Sequence, residues 1–244
     1  MLALFKKEIN TFFGTPTGYL IIAVFLLANS LLMWGFSSEY NILDNGYAQM
    51  DSLFILAPIL FLLFIPAVTM RLFADEHKEG TIELILTKPL TELKIVLAKY
   101  FAGLLLVVLS ILPTLVYYFS IYSLGETSGN LDSAGIFGSY IGLFFLASGF
   151  VAIGTFSSAM SKNQIISFII AIILSAFFYL GWDVIASGIS NGKAELAIQY
   201  IGINAHYLSL SKGVIDSRDI LYFISLNTLF ILLTKTILIS RKWQ

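Results

Sequence analysis

Apolar and polar positions alternate along this chain in long blocks: six extended apolar runs are separated by shorter polar stretches. A helix needs about 20 apolar residues to cross a hydrocarbon layer of about 30 Å. Runs of that kind fall at about 17–36, 52–70, 95–122, 136–158, 164–187 and 219–240, and predict six transmembrane helices. Ahead of them, Leu2, Phe5, Ile9, Phe12 and Phe13 recur at helical spacing with Lys6, Lys7 and Glu8 between them. That pattern predicts a helix lying in the membrane interface. Thr15-Pro16 reads as an N-cap followed by proline at the first helical position, where its missing N–H costs nothing. The third run is longer than a bilayer requires. Pro113 predicts a kink in it, and Tyr117, Tyr118 and Tyr122 mark its far interface.

The segment 188–218 is the one long connection at the far end. Ala194, Ala197, Ile201, Ala205 and Leu208 predict a short outer helix before the last span, stopped at Lys212-Gly213. Asp216, with Asp219 three residues on, predicts a capping box for that span. In the fourth run Gly138, Gly142 and Gly149 form a small-residue stripe, which allows close helix contact or merely loose packing. Asn29 and Asn227 fall inside spans one and six. They serve either helix–helix contact or the lining of a substrate path.

Composition agrees with this picture and narrows it. The chain is 58% hydrophobic and 12% charged, where a soluble domain has about a quarter of its residues charged. The fold class is therefore all-α and polytopic, one domain over residues 1–244. A net charge of −1 gives no reason to invoke nucleic acid. With no cysteine, disulfides, zinc–thiolate sites and thiol nucleophiles are excluded. No signal peptide is evident, so the N-terminus is expected to be retained.

Lysine and arginine set the orientation. Lys6, Lys7, Arg71, Lys78, Lys88, Lys94, Lys99, Lys162, Lys235, Arg241 and Lys242 fall on one side. Only Lys193, Lys212 and Arg218 fall on the other, where Glu39, Asp44, Asp51, Glu126 and Asp132 also lie. The positive-inside rule puts both termini and the charged stretch 70–94 in the cytoplasm. His77 and His206 are then on opposite sides and cannot share a metal; each reads as a polar interface residue. No span carries a carboxylate or lysine near its middle, which argues against a proton- or sodium-coupled carrier. There is no His-Glu-x-x-His run and no pair of intramembrane aspartates, so the chain reads as non-catalytic.

The stretch 70–94 divides at Gly80-Thr81. Before it, span two continues out of the membrane through Arg71, Asp75, Glu76, Lys78 and Glu79. Gly80 permits a left-handed stop, Thr81 can cap a short helix with Glu83 in its first turn, and Pro89 bounds that helix near Thr87. Two readings stand for Glu76, Glu79 and Glu83: contact with a partner, or an ordinary solvated charge run.

The run Pro66-x-x-Thr69-x-Arg71-x-x-x-x-Glu76-x-x-x-Gly80-Thr81-x-Glu83-x-x-x-Thr87-x-Pro89-Leu90 resembles the ABC-2 type permease subunits of ATP-binding-cassette transporters. The run Gly213 to Phe223, with Asp216, Arg218, Asp219 and Tyr222 inside it and His206-Tyr207 before it, is similar to the gliding-motility (GldF-type) branch. One departure is Tyr207, where phenylalanine is expected. The resemblance implies a permease subunit of the bacterial cytoplasmic (inner) membrane, and an exporter rather than an importer. It implies a coupling helix that docks on a separate ABC ATPase through Glu76, Glu79, Gly80, Thr81, Glu83, Thr87 and Pro89. It also implies a second permease subunit, identical or different. This chain has no P-loop; its nearest match, Ser187 to Ala194, lacks the first glycine and the hydroxyl residue after Lys193. ATP and Mg are thus expected in the partner, with no cofactor in this chain. The alternative reading is a structural membrane anchor within a larger envelope or motility machine, without transport of its own.

Overall fold

The computed structural model describes residues 1–125, 130–189 and 191–241. Glu126 and Lys242, which entered the charge count, lie outside the described residues. The helices run in the order α1 (Leu2–Phe13), α2 (Pro16–Ser30), α3 (Ile42–Asn45), α4 (Asp51–Thr69), α5 (Arg71–Lys78), α6 (Ile82–Leu86), α7 (Glu92–Ile111), α8 (Leu115–Leu124), α9 (Ser133–Met160), α10 (Gln164–Ala176), α11 (Trp182–Ser187), α12 (Gly192–Gln199), α13 (Ile203–Leu210) and α14 (Ser217–Arg241). No strand occurs among the described residues. Six helical stretches are long and apolar enough to span a membrane: Pro16–Gly35, Asp51–Lys78, Glu92–Leu124, Ser133–Met160, Gln164–Ser187 and Ser217–Ser240. The first ends in a π-helical turn, Leu31–Gly35, and the fifth is interrupted by one, Phe177–Gly181, before α11.

The long helix α9 is the axis of the bundle, packed by α4, α7, α10 and α14 along its length. Spans two, three and four bury most of their surface, whereas one, five and six leave most of theirs exposed. Leu20, Val24 and Leu27 of α2, Ile165, Ile169 and Ile173 of α10, and Leu221 and Ile224 of α14 are exposed apolar side chains. Outside a bilayer they would be a large hydration cost; inside one they are solvated by lipid. Close approach to α9 depends on its small residues. A Cβ on Gly138 would meet the Gly213 carbonyl oxygen at 2.7 Å, and one on Gly142 would meet Leu210 Cβ at 2.8 Å. Gly149 faces Leu226 and Phe223 of α14. The stripe thus divides its contacts between the α13 end and the last span.

Prolines inside the spans remove backbone donors, and at Pro58 a side chain replaces the lost one. Pro58 cannot donate to the Phe54 carbonyl one turn earlier; the Tyr207 hydroxyl does so instead, at 2.7 Å. The hydroxyl that sets Tyr207 apart from phenylalanine is therefore a missing helix donor supplied from α13. Burial pushes this phenol well above its ordinary pKa, with Tyr179 adding to the shift, so it stays protonated and able to donate. Between α1 and α2 the Thr15 hydroxyl donates to the Phe12 carbonyl at 3.1 Å, beside the Thr15 N–H. Pro113 produces a short 3-10 turn, Leu112–Thr114, that joins α7 to α8.

Three local expectations change. The outer helix is two, α12 and α13, because Gly202 is extended and turns the chain between them. The capping box at the last span is half formed: Asp216 Oδ1 accepts from the Arg218 N–H at 2.8 Å, but Asp219 turns away to His206. His77 and His206, read as polar interface residues, are both buried within the protein.

Replacing Tyr207 with phenylalanine should cost about 1–3 kcal/mol of stability, the desolvation penalty of one buried carbonyl. In a Pro58→Ala background, which restores the backbone donor, the same change should cost much less. Thermal unfolding of the four proteins of this cycle in detergent measures both; equal costs in the two backgrounds would contradict the assignment.

Candidate docking site

Span two does not stop at the membrane edge. Its axis breaks at Met70 and resumes as α5, and the break is repaired from α9. Ser158 Oγ accepts from the Phe73 and Ala74 N–H groups at 2.9 and 3.1 Å, while its hydroxyl donates to the Met70 carbonyl at 3.0 Å. The backbone donors that the break frees are satisfied by one small side chain, with no water needed. Further along, Gln164 at the start of α10 donates to Asp75. At the other edge of the break, the Arg71 guanidinium donates to Thr17 at 2.8 Å.

The strongest tie is ionic. Glu76 Oε1 lies 2.6 Å from Lys7 Nζ, and Glu76 Oε2 lies 2.9 Å from Lys99 Nζ, the latter as an ion pair without hydrogen-bond alignment. Lys99 also pairs with Glu8 Oε1 at 2.8 Å and donates to the Leu72 carbonyl. Lys7 stands 3.4 Å from Glu8. The Lys99 ammonium also sits 4.9 Å from the centroid of the Phe73 ring, a cation–π contact. Lys99 is fully buried and Glu76 is 5% exposed, so these charges have left water. Two positive and two negative groups cancel, and this is the condition under which burial of ions is tolerated. Partial burial works against the Lys7 ammonium, but the hydrogen bond to Glu76 and the charges of Glu8 and Glu76 outweigh it and hold its pKa above 10.5. Its contribution is thus complete below that value and is lost only as pH rises through the raised one.

These ties aim α6. Gly80 adopts φ +71°, the left-handed conformation that turns the chain after α5. Thr81 occupies the N-cap position but forms no capping bond, because its backbone is already helical where a capping residue is extended. Thr87, at the C-cap, donates its hydroxyl to the Leu84 carbonyl, and Pro89 follows in the turn. Ile82 is buried against the small apolar cluster of Leu72, Phe73, Ile95 and Val96, with Ile85 packed beside it. The opposite face, with Glu83, Leu84, Thr87 and Lys88, is exposed, as are Glu79, Gly80 and Pro89. Between this face and α1 lies a groove of about 420 Å³, lined by Leu4, Lys7, Glu79, Leu84, Ile85 and Lys88 among others.

Of the residues expected to meet a partner, Glu79, Gly80, Thr81, Glu83, Thr87 and Pro89 share this surface, and Glu76 does not. Its carboxylate points inward, already neutralised by two lysines, and cannot also offer charge to another chain. Sequence reasoning missed Lys99, Glu8 and Ser158 as parts of one assembly; the available hint was a lysine one turn inside an apolar run. Asn29 and Asn227 are not brought together. Asn29 is buried and donates to the Phe25 carbonyl, while Asn227 donates to Ser148 Oγ at 2.9 Å. Both side-chain carbonyls lack a partner among the described residues.

Compared with known proteins, residues 5–240 match the family model described as "ABC-2 family transporter protein". No curated protein matches the chain.

Replacing Lys99 with methionine should destabilise the protein by about 3–5 kcal/mol, because two buried carboxylates lose their main partner. Adding Glu76→Gln should recover a large part of that loss. Thermal unfolding of the single and double variants measures the coupling; additive losses would contradict a shared buried cluster.

Proposed function

The chain belongs to the ABC-2 family of transporter proteins, a multi-pass membrane permease subunit of an ABC transporter, and on that premise we propose that α1 and α6 together form the seat of its ABC ATPase. The observation that carries this reading is the groove between them, flanked by exposed charge and mounted on α5. The docking surface comprises Glu79, Gly80, Thr81, Glu83, Thr87 and Pro89, with Leu84 supplying an exposed apolar contact and Lys88 a positive one. ATP and Mg are bound in the partner, whose closure on ATP pushes on α6. Because α5 packs on α9 and α10 and is tied by the Glu76 ion pairs to α1 and α7, the push moves α1 and spans two to five rather than a loop.

A second permease subunit completes the pathway, and the seats face the cytoplasm of a bacterial cell. The excess of lysine and arginine at the α6 end supports that orientation. The His206-Tyr207 pair and the Gly213–Phe223 run support the gliding-motility type, with export as the direction.

Charge reversal at the seat, Glu79→Lys or Glu83→Lys, should weaken co-purification of the ATPase by more than about tenfold, since like charges facing each other across an interface cost several kcal/mol. Insertion and folding of the permease should be unchanged. Glu76→Lys should instead reduce the yield of folded permease before any binding is measured. Normal ATPase binding and transport by both seat variants would refute the docking assignment.

A further inference from the structure

At the end of the bundle opposite α6, α12 and α13 fold over the mouths of spans two, four, five and six. Three side chains tie this cap down. Tyr207 reaches Phe54 on α4, and Ser139 of α9 donates to the Ser211 carbonyl at 2.8 Å. The third is His206, which is buried. Its Nδ1 is 2.7 Å from Asp219 Oδ1 on α14, and its Nε2 is 2.9 Å from the Tyr200 carbonyl oxygen at the end of α12. The face of the ring stacks on Tyr222 of α14 at 3.9 Å, and the Tyr222 hydroxyl donates to the Ile201 carbonyl in the same turn.

Both neighbours of the imidazole nitrogens are oxygen atoms. A neutral imidazole has one N–H and one lone pair, so beside an ionised Asp219 one of the two contacts would set lone pair against lone pair. One additional proton removes the conflict. Either the ring carries two N–H groups, or Asp219 carries a hydroxyl that donates to Nδ1 while Nε2–H donates to Tyr200. The proton count of the pair is the same in both. The other titratable groups around the ring are Tyr222 and Tyr200, which pack against it, and Asp183 of α11, which accepts from Asn204 two residues earlier at 2.7 Å. Tyr179 lies near Tyr207 on the adjoining side. Tyrosines are neutral where histidine exchanges its proton, and Asp183 is occupied by Asn204. Among the described residues α9 brings Ser139, which is uncharged, to the cap.

We propose that the His206–Asp219 pair is a proton-held latch: with its extra proton the α12–α13 turn is closed on the last span, and without it the turn opens. An acidic far compartment therefore keeps the cap shut, and opening releases one proton. The latch is independent of which partner sits on α6.

Hydrogen exchange of the full-length protein in lipid nanodiscs tests this, with rates at each pH normalised to those of the unstructured chain. Between about pH 5 and about pH 8, the range in which histidine titrates, amides 200–206 should lose about tenfold in protection. Asp219→Asn keeps both hydrogen bonds with a neutral ring, its amide donating to Nδ1. Its protection should stay high and flat with pH. Should that variant fail to fold, His206→Gln, which has no titratable group, should likewise be flat. Constant protection in the wild type, or the wild-type slope persisting in the variant that folds, would overturn the proposal.

Discussion

Four charges gathered where α1, α5 and α7 meet, with Lys99 and Glu76 buried and Lys7 half-exposed, fix the position of the α5–α6 end of the bundle. Lys7, Glu8, Glu76 and Lys99 come from three separate helices, and neither Lys99 nor Glu76 can leave without stranding an opposite charge in a dry site. Such a cluster adds little net stability compared with a well-packed apolar core. Its effect is on geometry, because only one mutual arrangement of the three helices satisfies all four groups. The interfacial α1 is thereby joined to the arm that carries α6, and the groove between them has fixed walls.

The axial helix α9 carries this arrangement to the other end. Near its C-terminus Ser158 repairs the break between α4 and α5; near its N-terminus Gly138, Gly142 and Ser139 receive the turn that follows α13. One helix of 28 residues thus touches both the α5–α6 arm and the α12–α13 cap. Packing along α9 is continuous from α5 to α13.

Much of this was legible from the residues, and the boundary has a physical origin. Span positions, the break at Gly80, the end of α6 before Pro89 and the interfacial α1 follow from hydropathy and local backbone chemistry, which act within a few residues. The glycine stripe was legible as a small-residue surface, but its actual neighbours, Gly213 and Leu210 at one end and α14 at the other, were not. Glu76 was misread for the same reason. In sequence it is one more acid in a charged run, and its lysines lie 69 residues before it and 23 after. A helix face carrying charge can point to solvent or to a buried counter-charge, and only tertiary packing decides between them. His206 and Asp219 repeat the lesson. The spacing of Asp216 and Asp219 suggested a capping box, yet a buried imidazole outcompeted an exposed backbone amide for the second carboxylate.

The central claim is that the buried cluster makes α1 and α6 one body. The chain has no native cysteine, so spin labels can be placed at Ala3→Cys and Lys88→Cys, on opposite walls of the groove. Their separation can then be measured by pulsed electron paramagnetic resonance in nanodiscs. A single narrow distance distribution is expected in the otherwise wild-type protein, broadening markedly when Glu76→Gln is added. An equally narrow distribution in both would contradict the account, because the groove would then be held by something other than these four charges.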